Sequence, residues 1–203
     1  MSPRTPALNV WGRLVDFLGD PMKSVWLFGY GSLIWRPDFE YLSSRIAWVD
    51  GWSRRFWQGS HDHRGVPQAP GRVVTLIPLR GERCGGMAFE IDAMLAQEIF
   101  AKLDYREKNG YDRCRAPLLF DDVPPVGASA DQHIEGVFYV ANESNPAFLG
   151  PASAVDIARQ ISQSQGPSGP NDEYLRNLAM ALRHHGIADD HVFEIEAELN
   201  RLP

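Results

Sequence analysis

Two short stretches carry residue types that could do chemistry. The first is Arg106-Glu107-Lys108-Asn109-Gly110. Leu95, Ile99 and Leu103 recur every four residues before it, so they share one ridge of a helix, and the next position on that ridge is Glu107. A carboxylate thus continues an apolar row in the last turn before the helix-ending pair Asn109-Gly110. Partial burial disfavours its charged form, and the negative end of the helix dipole opposes an anion by ~0.3–1 kcal/mol. Both effects move a glutamate upward from its free value of about 4.3, towards the range in which a carboxylate can take up and return a proton near neutrality. The same placement is also met by an ion pair with Arg106, Arg113 or Arg115, or by a helix end that opens into solvent. Asp104 lies off the ridge and reads as surface.

The second stretch is Phe28-Gly29-Tyr30-Gly31-Ser32-Leu33-Ile34-Trp35. Paired glycines around a tyrosine are unfavourable where the flanking residues prefer extended structure, so they mark a special bend or a close backbone approach. Successive backbone N–H groups in such a bend can cradle a carboxylate or a developing oxyanion. Other chemistries fit poorly. A serine nucleophile elbow needs glycine two positions either side of Ser32, where Tyr30 and Ile34 stand. There is no phosphate-binding loop, and Gly29-Tyr30-Gly31 lacks the third glycine of a dinucleotide fingerprint. His61-Asp62-His63 has no distant partner at a ligand spacing, so no metal and no cofactor is expected.

These stretches need elements to hold them. Ser24 to Phe28 reads as a buried strand running into the glycine pair. Further strands are expected at Arg45–Val49, Trp52–Trp57, Val73–Ile77 and Met87–Ile91, with weaker ones at Leu118–Phe120 and Val137–Val140. Helices are expected from Asp92 to Asn109, from the capping pair Ser153 and Asp156, from the Gly166-Pro167-Ser168-Gly169-Pro170 turn to His184, and over residues 189 to 201. Val10, Leu14, Phe17 and Leu18 line one face of an N-terminal helix that Gly19-Asp20-Pro21 stops. Strands cluster early and helices late, which favours an α+β domain over residues 25–203 with a helical extension over residues 1–24.

Composition sets the outer bounds. The chain has 203 residues, enough for one substantial core, and its hydrophobic and charged fractions of 44% and 23% are those of an ordinary globular domain. A net charge of −6 argues against nucleic acid as a partner. The charge is uneven: Arg45, Arg54, Arg55, Arg64 and Arg72 face only Asp50 and Asp62 in that stretch, which suits a small anionic ligand. Cys84 and Cys114 form no metal or redox spacing, no apolar run is long enough to span a bilayer, and polar residues interrupt the N-terminal stretch so that it offers no signal-peptide h-region; a cytoplasmic enzyme is expected.

Several long motifs occur together and in order. FGYGSLIWRPDF is followed by SRRFWQGSHDHRGVPQAPGRVVTL, LDYREKNGY, FLGP and GPSGPNDEYL. Together they resemble the ChaC-type γ-glutamylcyclotransferases, over roughly residues 25 to 185. The resemblance implies a γ-glutamylcyclotransferase-like fold, a small mixed β-barrel with flanking helices. It implies cleavage of glutathione to 5-oxoproline and cysteinylglycine without metal or cofactor, with cyclisation of other γ-glutamyl amines, or binding without turnover, as alternatives. The family's catalytic glutamate maps onto Glu107, and its substrate-binding loop onto Gly29, Tyr30, Gly31, Ser32, Leu33 and Ile34. Asn109 stands where the family commonly has glycine, a change the left-handed backbone tolerates. Within that reading Arg72 is a candidate for the glycine carboxylate of glutathione, and Tyr111 and Tyr139 are candidate hydroxyl donors. Oligomeric state is not legible.

Overall fold

The computed structural model describes residues 24–106, 110–120 and 134–202. The expected N-terminal helix, the residue Glu107 and the Pro-rich stretch after Phe120 lie outside those residues. A five-stranded sheet is built from β1 (Val25–Gly29), β2 (Ser43–Ser60), β3 (Gly71–Ile91), β4 (Asp112–Pro117) and β5 (Glu135–Val140), in the order β2-β3-β1-β5-β4. It is mixed: β1 runs antiparallel to β3 and parallel to β5. Four helices flank it among the described residues: α1 (Ala93–Arg106), α2 (Ala154–Gln163), α3 (Asn171–His184) and α4 (Asp190–Leu199).

β1 is central, and its period-two alternation divides the core. Leu27 points to one face, where it meets Ile99, Phe100 and Leu103 of α1 with Val137 and Tyr139 of β5. Phe28 points to the other, into a larger cluster that contains Leu175 and Leu178 of α3, Ile157 of α2 and Ile195 of α4. The α+β class and the mixed sheet are as expected. The sheet curls far enough for its two edges to touch: Trp48 on β2 exchanges backbone hydrogen bonds with Leu119, just beyond β4, at 2.8 and 2.9 Å. Closure is thus a single bridge among the described residues, not a continuous ladder.

Some elements differ from expectation. The four strands expected between Arg45 and Ile91 are two long ones, β2 and β3, paired as one bent ribbon. The sequence signals that divide them are real but local. Gly51 takes φ +78, and the register slips between Asp50 and Trp52, the point opposite which Pro78 is accommodated. The pair Gly85-Gly86 is not a turn. It lies inside β3, where a Cβ on Gly86 would stand 2.4 Å from the Gly29 carbonyl oxygen. β4 was not foreseen, because Asp112-Arg113-Cys114-Arg115 shows no apolar alternation and pairs only because β5 offers an edge. In α1 the buried face is Ala96, Ile99, Phe100 and Leu103, while Leu95 is left 38% exposed. The core-facing stripe is therefore rotated from the expected ridge at its first turn.

The helix ends are as the sequence indicates. Asp92 accepts a hydrogen bond from Met94 N at 2.8 Å, and Ser153 Oγ accepts from Asp156 N at 3.1 Å while donating to Asp156 Oδ2 at 2.6 Å. At α4, Asp189 accepts from Val192 N at 3.0 Å. The same first turn carries His191, whose Nε2 accepts from Phe56 N on β2 at 3.0 Å. Burial, reinforced by the nearby Arg55 cation, pushes the imidazole down to about 4.

An unfolded chain protonates His191 near pH 6.5, whereas the native state does so only near 4. Its contribution to stability is therefore complete above about pH 6.5 and is lost progressively as pH falls through that window, up to ~3 kcal/mol. Urea unfolding at pH 7 and at about pH 4.5 should show this loss in the wild type and a smaller one in His191→Gln, which keeps an acceptor for Phe56 N but does not titrate. Equal losses in both proteins would contradict the assignment.

Candidate active site

β1 ends against an open cavity of about 1220 Å³. Its inner wall is the turn that follows: Gly29, Tyr30, Gly31, Ser32 and Leu33 all line it. After Gly29 the chain folds into a 3-10 turn at Ser32–Ile34, closed by Ile34 N donating to Gly31 O at 3.0 Å and Arg36 N donating to Ser32 O at 2.9 Å. The two glycines are needed for space rather than for positive φ. A Cβ on Gly29 would lie 2.7 Å from Leu33 Cβ, and one on Gly31 would meet Tyr174 Oη at 3.0 Å and Val74 Cγ2 at 3.1 Å.

The turn is held from below by Arg54, which has its side chain fully buried. Its Nε donates to the Tyr30 carbonyl at 2.8 Å, one terminal nitrogen donates to Asp189 Oδ2 at 2.7 Å, and the other to the Gly85 carbonyl. Burial opposes the cation, while Cys84 and the paired Asp189 favour it, and the balance keeps the group above an ordinary arginine. Tyr30 is fixed at both ends, since its hydroxyl donates to the Tyr139 carbonyl at 2.6 Å.

The end of α1 contributes to the same cavity. Leu103 lines the cavity, and so do Gly110 and Tyr111, on the two sides of residues 107–109 in the chain. Gly110 takes φ +85, the left-handed conformation expected of a helix-ending glycine. Asn145 secures it: Nδ2 donates to the Gly110 carbonyl at 2.9 Å, while Oδ1 accepts from Ala147 N at 2.8 Å and from Gln58 Nε2 at 3.2 Å. The last turn of α1 is tied to the sheet by Asp104, which pairs with Arg113 and accepts from the Tyr139 hydroxyl at 2.7 Å.

His61, Asp62, His63 and Arg64 also line the cavity, together with Ser168 and Glu173. The small hairpin of β6 (Gln165–Gly166) and β7 (Gly169–Pro170) packs on this loop, with Ser168 N donating to the His63 carbonyl at 2.9 Å. Arg64 Nη1 donates to Pro170 O at 3.0 Å and to Glu173 Oε2 at 3.1 Å. The Arg64 side chain is largely buried while Glu173 is about half exposed. No group of three or more metal-ligating side chains occurs among the described residues.

Of the residues singled out from sequence, Gly29 to Leu33, Tyr111 and Tyr139 line the cavity, and Ile34 turns into the core beside it. Arg72 does not line it. Its Nε donates to Gln160 Oε1 at 2.6 Å, and Nη1 to the carbonyls of Phe56 and Gly150 at 2.9 and 3.1 Å, so it joins β2 to α2 instead of facing a ligand. The Tyr139 ring is at the wall, but its hydroxyl proton goes to Asp104. Burial first, then that hydrogen bond, push the phenol well above its ordinary value. Gln58 and Asn145 were not foreseen. A lone amide in a strand and another in a loop give no local signal; only the fold brings them together.

The chain matches the model of the ChaC-like protein family over residues 25–202. It is 42% identical over 181 residues to the glutathione-specific gamma-glutamylcyclotransferase 1 of Danio rerio, covering 87% of this chain and 89% of that protein. It is 38% identical over 199 residues to the glutathione-specific gamma-glutamylcyclotransferase of Schizosaccharomyces pombe, covering 89% and 95%. Among solved structures, the gamma-glutamyl cyclotransferase specific to glutathione from yeast superimposes with a TM-score of 0.80 at 30% identity, covering 88% of this chain and 96% of that one.

Removing the Arg54 side chain leaves Asp189 and two buried carbonyls without their donor. Arg54→Met should lower stability by ~3–5 kcal/mol, the range for breaking a buried pair by deleting one partner. Urea denaturation checks this, and a loss below about 1 kcal/mol would show that the strut is not needed.

Proposed function

Because the chain belongs to the ChaC-like family, we propose that it is a γ-glutamylcyclotransferase that cleaves glutathione to 5-oxoproline and cysteinylglycine, with Glu107 as the proton carrier. The observation that carries this reading is the juxtaposition in one cavity of the Gly29–Leu33 turn with the residues flanking Glu107, namely Leu103 before it and Gly110 and Tyr111 after it.

The chemistry follows from what such a cavity can hold. The γ-glutamyl end lies against the turn, whose backbone N–H groups polarise the γ-carbonyl or hold the α-carboxylate. Glu107, ionised, removes a proton from the α-ammonium. The freed amine attacks the γ-carbonyl carbon and forms the new C–N bond of a five-membered lactam. The ring nitrogen, cationic after the attack, gives up its second proton as the tetrahedral oxyanion collapses and the C–N bond to cysteine breaks; that proton and the one held by Glu107 both pass to the departing nitrogen, which leaves as an ammonium. One carboxylate acts as base and then as acid, and neither water nor an oxidant enters. Because the attack is intramolecular, the larger contribution is conformational: holding the tripeptide in a bent near-attack geometry is worth up to ~7–11 kcal/mol. Arg64, which lines the cavity as Arg72 does not, suits the carboxylate at the far end of the tripeptide.

Among the described residues no helix is long and apolar enough to cross a membrane. Both cysteines are free, and burial pushes Cys84 up to about 11 and Cys114 upward as well, so neither is an activated thiol. A reducing, cytoplasmic setting fits these thiols.

The test is incubation of the purified chain with reduced glutathione and assay of 5-oxoproline and cysteinylglycine in equal amounts. Glu107→Gln should keep its fold and lose activity by about 10²-fold or more. Substantial turnover in that variant would remove Glu107 from its role. Faster turnover of γ-glutamyl-alanine than of glutathione would favour a broader γ-glutamyl specificity, and no release from either would leave a binding module.

A further inference from the structure

Exposed apolar side chains gather at one corner of the domain. Among the described residues eight large ones are exposed, and four of them, Tyr41, Leu42, Met94 and Leu95, lie in two stretches that the sheet brings together. Leu42 N donates to Glu90 O at 2.7 Å, and Ser43 stands opposite Glu90 in the ladder of β2 with β3, so Leu42 lies beside the end of β3. Met94 and Leu95 come directly after that end, in the first turn of α1. The Tyr41 ring packs edge-on against Phe89, with centroids 5.1 Å apart. Charge links the same two stretches. Leu95, Glu98 and Lys102 share one side of α1 by helical spacing, and the Lys102 cation is favoured first by Glu98 and also by Glu40, which precedes Tyr41. Met94 is 87% and Leu42 61% exposed. Single exposed apolar residues are ordinary, but a cluster of this kind marks an interaction surface.

We infer that this corner is the docking surface for the protein's own N-terminal segment, which lays the stripe Val10, Leu14, Phe17 and Leu18 on Tyr41, Leu42, Met94 and Leu95. The path of the chain selects this occupant. Ser24 Oγ donates to Glu90 Oε1 at 2.6 Å and Val25 pairs with Ile91, so the chain before Ser24 arrives beside Leu42 and Met94. Its length suffices. Residues 19–23 can separate Leu18 from Ser24 by up to about 20 Å, and residues 7–18 span about 18 Å at the helical rise.

Charge points the same way. The polar groups around the corner are Glu40, Glu90, Asp92 and Glu98 against Lys102, whereas residues 1–23 carry Arg4, Arg13 and Lys23 against Asp16 and Asp20. An acidic rim thus receives a segment with a small excess of cations, and Arg13 borders the apolar stripe on a helical projection. Size disfavours a second copy. Four side chains fall short of the ~1,200 Å² that a stable interface between separate molecules buries, whereas a tethered segment acts at millimolar effective concentration. None of the four lines the cavity, so the inference is independent of the cyclotransferase reading. The family match begins at residue 25, which leaves the segment outside the shared domain.

The experiment uses the full chain with 13C-methyl methionine. Five methionines give five methyl resonances, and Met94→Leu identifies that of Met94. In the wild type the Met94 methyl should show nuclear Overhauser contacts to ring protons that disappear in Phe17→Leu or in Trp11→Leu, the latter ring standing at the border of the stripe. Docking should also protect the bond after Arg13 from trypsin. Leu42→Ser with Met94→Ser leaves the sequence around that bond unchanged and alters only exposed side chains, and cleavage there should become about tenfold faster or more. A Met94 methyl that meets no N-terminal ring, or cleavage as fast in the wild type as in the double variant, would overturn the inference. Contacts that appear only between differently labelled molecules in a mixed sample would assign the corner to a second copy and overturn it equally.

Discussion

The site depends on a buried guanidinium. Arg54 lies wholly inside the protein and joins three pieces of chain that are remote in sequence: the Tyr30 carbonyl in the turn after β1, the Gly85 carbonyl in β3, and Asp189 at the start of α4. A charge in that position is tolerated only with its partners in place. The turn carries no side-chain charge of its own, so its geometry is set by what its carbonyls are tied to and by how closely its glycines let Tyr174, Val74 and Leu33 approach. The last helix, which has no side chain in the cavity, thus takes part in shaping it.

A second frame of the same kind holds the part of the cavity lined by Leu103, Gly110 and Tyr111. Asn145 fixes Gly110, Asp104 ties the last turn of α1 to Arg113 and Tyr139, and Tyr139 in turn accepts the Tyr30 hydroxyl on its carbonyl. The two walls are therefore joined through β5, beside β1 in the sheet. For a reaction in which a substrate attacks itself, this rigidity is the main catalytic resource. In the proposed reaction the protein would supply no nucleophile; it would hold one bent conformation and carry protons from the attacking amine to the departing one.

How much of this was legible in the sequence differs by scale. Features set by a few neighbouring residues were clear: the strand before Gly29, the caps at Asp92 and Ser153, and the left-handed Gly110. Features set by distant partners were not. β2 and β3 read as four strands because Gly51, Pro78 and Gly85-Gly86 are local breaks in what is one ribbon. Leu95 follows the four-residue repeat yet is exposed, since α1 meets the sheet through Ala96 and Phe100 instead. The arginines illustrate the same limit. A basic stretch suggested anion binding, but Arg54 and Arg72 are drawn into the core by Asp189 and Gln160, which lie 135 and 88 residues away, and only Arg64 of the five reaches the cavity. Gln58 and Asn145 had no signal, because an amide is informative only once its partners are known.

The central claim is that one cavity holds the γ-glutamyl end of glutathione between the Gly29–Leu33 turn and the side chain at position 107. The most direct measurement is a crystal structure of an inactive variant at that position with glutathione bound. The account predicts the γ-glutamyl end innermost, its γ-carbonyl against the backbone of the turn and its amino nitrogen within hydrogen-bonding reach of residue 107. A tripeptide bound elsewhere, or one lying in this cavity with its γ-glutamyl end at the mouth, would contradict it.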